Sequence, residues 1–185
     1  MIYSKKNLIE FLNADRKALG MKHPLLASLT YGEHARIRNY LTTLRYTEYY
    51  SHKSSFIGKI LYAINNLNLR RKSLKYGIYI APNSIGKGLN LPHPGFIRVD
   101  SFVTIGDNCT ILPMVLFGKA HPEDDTKIIV GDNCYFGVGA SIIGNHLTIG
   151  NNVTVAAGAV VIKDVPDNVI VAGIPAKIIK NIPIK

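Results

Sequence analysis

Ile105-Gly-Asp-Asn-Cys-Thr110, Ile111-Leu-Pro-Met-Val-Leu116, Val130-Gly-Asp-Asn-Cys-Tyr135, Phe136-Gly-Val-Gly-Ala-Ser141, Ile149-Gly-Asn-Asn-Val-Thr154 and Val155-Ala-Ala-Gly-Ala-Val160 are six copies of one six-residue phrase. An apolar residue leads, a small one usually follows, and polar residues come next. Sustained repeats this short point to a stacked β-helix. Each phrase supplies one short strand and one turn: the leading residue and the residue four places on face one interior, while Gly-Asp-Asn permits the bend. A lone phrase cannot bury its own apolar side chain, so the coils must stack.

Outside the repeat, composition narrows the possibilities. The 185 residues suffice for one good core, or for a core plus a small accessory segment. Apolar stretches such as Val169 to Ile174 fall far short of the roughly 20 residues that span a bilayer. The start, Met1-Ile-Tyr-Ser-Lys-Lys-Asn7, has no apolar run or small-residue cleavage site, so cytoplasmic residence is expected. Cys109 and Cys134 both take the fifth position of a phrase, which predicts inward-facing small hydrophobes rather than a disulfide. No ligand cluster has zinc spacing, and no metal is expected.

Charge is distributed unevenly. Residues 1–76 hold 14 Lys and Arg against 4 Asp and Glu, a net of +10, whereas residues 77–185 hold 8 against 8. A solvated basic surface explains this, and so does an anionic partner such as a phosphate-bearing substrate or the inner membrane surface. Nucleic acid is not expected, because no helix-turn-helix, zinc finger or RNA-binding motif accompanies the charge.

The basic segment reads as helical. Leu8, Ile9, Phe11 and Leu12 mark an amphipathic helix from about Ser4 to Leu19, with Ser4 as cap and Gly20 as stop. His23-Pro24 marks a break. Leu25 to Tyr50, with Ile37, Tyr40, Leu41 and Leu44 at helical spacing, predicts one or two further helices, and Phe56 to Leu69 predicts another before the basic run Arg70-Arg-Lys72. The alternation Ile78-Tyr-Ile80 opens the β segment. The division expected is therefore a helical segment over 1–76 and a β-helix with a C-terminal tail over 77–185. Two departures interrupt the repeat: the polar loop Lys119-Ala-His-Pro-Glu-Asp-Asp-Thr-Lys127, and a seven-residue spacing from Ile142 to Ile149 that predicts a bulged turn at a solvated His146.

The ordered set Ile85-Gly-Lys-Gly88, Leu91-Pro-His-Pro-Gly95, Ile105-Gly-Asp-Asn108, His121-Pro122, Phe136-Gly-Val-Gly-Ala140, Val161-Ile-Lys-Asp-Val-Pro166 and Gly173-Ile-Pro-Ala-Lys177 resembles the bacterial serine acetyltransferases and their relatives in surface-polysaccharide gene sets. These are hexapeptide-repeat acyltransferases. The resemblance covers roughly residues 76–180 and implies a mainly β fold, a left-handed parallel β-helix of triangular section preceded by a small α-helical segment. It further implies a homotrimer, with acetyl-CoA lying between neighbouring subunits. His93 matches the family's catalytic base and His121 its second active-site histidine. Gly118, Gly139, Ala140 and Ala157 match small positions beside the pantetheine, and Lys163 and Lys177 match positions near the CoA phosphates.

Departures from that pattern bear on the acceptor. The family carries an Asp before the first His and an Arg before the second; here Pro92 and Ala120 stand there. Pro92 cannot accept a hydrogen bond from an imidazole, and Ala120 cannot pair with a carboxylate. The expected function is an acetyl-CoA-dependent O-acetyltransferase acting on a hydroxyl, preferably that of a sugar in a surface-polysaccharide precursor. The alternatives are a genuine serine O-acetyltransferase of cysteine biosynthesis and a non-catalytic hexapeptide scaffold. A γ-carbonic anhydrase needs two closely spaced zinc-binding histidines on one coil, a pair absent around His121 and His146.

Overall fold

The computed structural model describes residues 1–20 and 32–183. The break at His23-Pro24 and the helix start at Leu25 lie outside the described residues. The Ser4 hydroxyl accepts from the Asn7 amide at 3.1 Å and opens α1, Lys5–Ala18. Helix α2 runs Glu33–Ser51, and α3 runs Phe56–Tyr76 with Ser55 as its cap. The third helix passes through Arg70-Arg-Lys72, beyond the expected end at Leu69. Nothing breaks it until Gly77, whose left-handed backbone (φ 73°) lets its amide close onto the Ser73 carbonyl.

Short strands make three faces of a parallel, left-handed β-helix. The first face stacks β1 (Ile78–Ile80), β2 (Ile97–Val99), β5 (Val115–Gly118), β8 (Ser141–Ile143) and β11 (Val160–Val161). The second holds β3 (Val103–Ile105), β6 (Lys127–Val130) and β9 (His146–Ile149). The third holds β4 (Thr110–Ile111), β7 (Tyr135–Phe136), β10 (Thr154–Val155) and β12 (Val169–Ala172), which β13 (Lys177–Asn181) joins antiparallel. The chain visits the faces in turn, so each circuit is one triangular coil. His146 does not sit in a turn as expected: it opens β9 opposite Lys127, exposed, and the bend falls at Gly144-Asn145.

The phrase divides its work among its residues. Both predicted inward positions are buried in all six copies, from Ile105 and Cys109 to Val155 and Ala159. The bend itself belongs to asparagine, since Asn108, Asn133 and Asn152 adopt φ of 56°, 57° and 56°. Glycine serves the stacking instead. A Cβ on Gly106 would strike the Asp132 carboxylate and come within 2.8 Å of the Gly131 carbonyl carbon. The first polar residue, third in the phrase, bonds along the stack: Asp107 accepts from Lys87 N–H, Asp132 from Asp107 N–H, Asn151 from Asp132 N–H and Asp167 from Asn151 N–H, at 2.7–2.9 Å. Amides that the bend would leave unpaired are thereby satisfied.

Arg45 joins the helices to the first coil. It is fully buried, and its five N–H groups face five acceptors: both Asp15 oxygens, Glu48 Oε2, and the carbonyls of Ile85 and Gly86. The carboxylates reach onward, Asp15 to the Leu89 amide at 3.0 Å and Glu48 to the Asn83 amide at 2.9 Å. Burial opposes the charge on Arg45, but Glu48 and Asp15 outweigh it and raise the pKa, keeping the guanidinium charged. On the same helix Tyr40 accepts from the Ile80 amide at 3.1 Å, and burial pushes its phenol up to about 12. Among the described residues no helix is long and apolar enough to cross a membrane.

Replacing Arg45 by Met strands two buried carboxylates, and the expected loss is about 3–5 kcal/mol of folding free energy. Arg45→Lys should recover only a minor part, since an ammonium offers three donors where five acceptors wait. Urea denaturation of the three proteins decides the point; equal midpoints for wild type and Arg45→Met would remove this network from the stability of the fold.

Candidate functional site

Two corners of the triangular section carry the residues singled out from the sequence. The corner where the third face turns into the first holds Pro92-His93-Pro94-Gly95, between the buried anchors Leu91 and Ile97. These anchors fix the backbone and leave the His93 ring outside, with more than half its side-chain surface exposed. His93 Nδ1 lies 3.0 Å from Glu33 Oε2. Glu33 is the first residue of α2, about three helical turns before Arg45, so the clamp that docks α2 also brings a carboxylate to His93. An ionised carboxylate only accepts, so the proton of a neutral His93 belongs on Nδ1 and the Nε2 lone pair faces outward.

Nothing near Glu33 in the sequence signals this contact. Sixty positions separate the two residues, and an acidic side chain in a first helical turn already has a reason to exist in the helix dipole. Pro92 cannot supply the acceptor expected beside His93; Glu33 supplies one from the helical segment.

Below His93 the same corner recurs in each coil. It passes through Pro113-Met114, Val138-Gly139, Ala157-Gly158 and Gly173 to Ala176, linked by the amides of Met114, Gly139 and Gly158 donating to Phe96, Pro113 and Val138. Gly139 (φ 72°) and Gly158 (φ 68°) expose bare backbone: a Cβ on Gly158 would meet nothing within 4 Å, and on Gly139 only an amide nitrogen at 4.0 Å. Ala157 is exposed beside them, and Lys177 stands exposed where this corner leads into β13. Ala140, at the fifth position of its phrase, has its methyl fully buried in the solenoid interior, as that position predicts.

The next corner, from the first face to the second, holds the others. Gly118 ends β5, Lys163 follows β11, and His121 lies between them on an exposed loop folded on itself. The His121 amide donates to Asp124 Oδ2 at 3.1 Å and Lys119 Nζ donates to the Asp124 carbonyl at 2.7 Å, while that ammonium sits 5.6 Å from the Phe102 ring centre. His93 and His121 thus stand at opposite edges of the first face, where the strands beside them, β2 and β5, of three and four residues, measure about 10–13 Å. One chain presents Gly139, Ala157 and Lys177 with His93, and Gly118 and Lys163 with His121, on separate edges.

The cysteines lie apart from both corners. Cys109 and Cys134 are free, buried and stacked in adjacent coils; their mutual hydrogen bond and then burial push the Cys109 thiol up, so it stays protonated. Among the described residues no group of three or more His, Cys, Asp or Glu is arranged to hold a metal ion.

The comparisons agree with this architecture. The family described as the hexapeptide repeat of succinyl-transferase matches residues 127–163. A serine acetyltransferase of Buchnera aphidicola is 32% identical over 155 residues, covering 79% of this chain and 59% of the relative. The serine acetyltransferase of Brucella abortus, solved in complex with coenzyme A, superposes with a TM-score of 0.78 at 26% identity, over 98% of this chain and 71% of that one. That of Neisseria gonorrhoeae, solved in complex with serine, gives 0.70 at 28% identity over 96% and 71%. The chain spans 31–59% of the length of the curated relatives it matches. It is serine acetyltransferase-like in sequence and in fold.

The Glu33 contact has a signature independent of any reaction. In nitrogen-15 spectra of imidazole-labelled protein above neutral pH, His93 should show the Nδ1–H tautomer, and Glu33→Ala should shift it toward Nε2–H, the form that free histidine prefers. A His93 spectrum identical in the two proteins would mean that Glu33 does not set the tautomer.

Proposed function

We propose that this chain is an acetyl-CoA-dependent O-acetyltransferase that works as a homotrimer, with His93 as general base. The division of its site residues between two corners carries the reading. Each corner alone is half a site, and two copies side by side would set the His93 edge of one against the His121 edge of the next. A closed ring of such head-to-tail contacts satisfies every copy.

The chemistry follows from the geometry of His93. An acceptor hydroxyl would give its proton to Nε2 as its oxygen attacks the thioester carbonyl; the tetrahedral intermediate then collapses, the carbon–sulfur bond breaks, and the thiolate takes the proton back from the imidazolium. The products are an O-acetyl ester and free coenzyme A. Glu33 would hold the ring and stabilise its charge while it carries the proton. The bare backbone at Gly139 and Gly158, with Ala157 beside them, suits a flexible pantetheine arm, and Lys163 and Lys177 suit phosphates as point charges. A purely structural scaffold has no need of a carboxylate brought sixty residues to an exposed histidine.

Free serine is the better supported acceptor. The relatives named above are serine acetyltransferases, one of them solved with serine, and Glu33 answers the objection that Pro92 raised from sequence. The sugar hydroxyl first favoured remains as a second reading because of one observation: Ala120 offers no cation beside His121, and the neighbouring Lys119 is committed within its own loop.

Thiol release from acetyl-CoA with serine, sugars and sugar nucleotides tests both acceptors; transfer to none of them overturns the enzyme reading. His93→Ala should slow transfer by a factor on the order of 10² to 10⁴ with coenzyme A affinity nearly unchanged, and Glu33→Ala by about tenfold to a hundredfold. An equal mixture of His93→Ala and His121→Ala chains, assembled together, should regain about a quarter of wild-type activity, the share of interfaces that receive one intact histidine from each side. No recovery beyond the sum of the separate variants would place both histidines in one chain's site.

A further inference from the structure

Helix α3 is apolar on two sides, and only one is covered. Leu69 and Ser73 are buried against the rest of the molecule, and Gly58 is buried beside Lys53 and Ser55 of the turn that precedes the helix. Large apolar residues point the other way: Phe56, Ile57, Ile60, Ile64, Leu67 and Leu74 are 44–79% exposed. On a helical projection they fall within an arc of about 100°, opposite the covered side. A contiguous apolar strip on a folded surface marks a place where something else binds.

The charges around the strip identify what. Lys59 and Arg70 border one side and Lys75 the other, with Arg71 within the strip at its last turn; all four are exposed, and α3 contains no Asp or Glu. The carboxylates of the helical segment are engaged elsewhere, Asp15 and Glu48 on Arg45, Glu10 on Lys87 and Glu33 on His93. A second copy laid against this face would bring the same cations onto themselves with no anion between them. An anionic bilayer fits better, because the apolar arc can enter the acyl boundary while the long basic side chains reach lipid phosphates.

We propose that α3 lies flat on an anionic membrane surface, with its apolar arc inserted and Lys59, Arg70, Arg71 and Lys75 at the headgroups. The helix, 21 residues and about 31 Å long, lies along the surface rather than across the bilayer. This placement is independent of the acceptor and of the catalytic reading.

Sedimentation of the full chain with vesicles is the test. Binding is expected to phosphatidylcholine vesicles containing about 30% phosphatidylglycerol and to be much weaker on phosphatidylcholine alone. Raising salt from about 0.1 M to about 0.5 M should weaken it. Ile64→Glu should lower the partition coefficient by about tenfold or more, and so should the pair Lys59→Gln with Arg70→Gln, which leaves the apolar arc intact. Thermal melts of both variants should match wild type, since the altered side chains are exposed. Three results would overturn the proposal: no binding to the anionic vesicles, equal binding to neutral ones, or a solution mass in light scattering that falls on Ile64→Glu and so shows a second copy on this face.

Discussion

The guanidinium of Arg45 holds the helices and the solenoid in one frame. It is charged, fully buried and surrounded by two carboxylates from the helices and two carbonyls from the first coil, so neither half of the molecule satisfies it alone. The charges in such a site are costly to leave unpaired, which makes the docking of α2 close to all-or-none. Small displacements of the helix would lengthen several charge-assisted bonds together. The Glu33–His93 contact, between two exposed side chains, has little strength of its own. It persists because Arg45 fixes the helix that carries it, and the histidine lies only seven residues beyond Gly86, the second of the carbonyls that Arg45 grips.

Stacking imposes the second constraint. Each coil rests directly on the last, and the turn glycines have no room for a side chain because the next coil's Asp or Asn occupies that space to bond a backbone amide. The solenoid is closely packed there. At the corner below His93 the opposite condition holds: Gly158 has open space in front of it and Gly139 almost as much, so glycine there gives access rather than close packing. One residue type thus serves two purposes, told apart by what an added Cβ would meet.

Much of this was legible in the sequence because a six-residue period encodes local rules repeated coil after coil. The inward positions, the turns and the order of helices before strands all follow from neighbours within a few residues. The bend was assigned to Gly-Asp-Asn as a unit; only the structure separates the left-handed asparagine from the closely packed glycine. What the sequence could not disclose were contacts across long separations. Glu33 and His93 meet because α2 folds back over the first coil, and Arg45 looked like one more solvated cation among the fourteen.

The helical periodicity of α3 shows the limit of pattern reading most clearly. Ile57, Ile60, Ile64 and Leu67 give the spacing of a helix burying one face, and the usual conclusion is that this face meets the core. Here the helix docks by the opposite side, through Leu69 and Ser73, and the apolar stripe turns outward. A period establishes that a helix has an apolar face; whether that face meets protein or lipid depends on what borders it. Acids and cations interspersed along a border would suit water and other proteins. The borders of α3 carry cations alone, while the carboxylates of the segment are drawn to Arg45, Lys87 and His93. The net charge of residues 1–76 is therefore not spread evenly over their surface: the internal pairs concentrate anions where the helices meet the solenoid and leave cations around the exposed apolar strip.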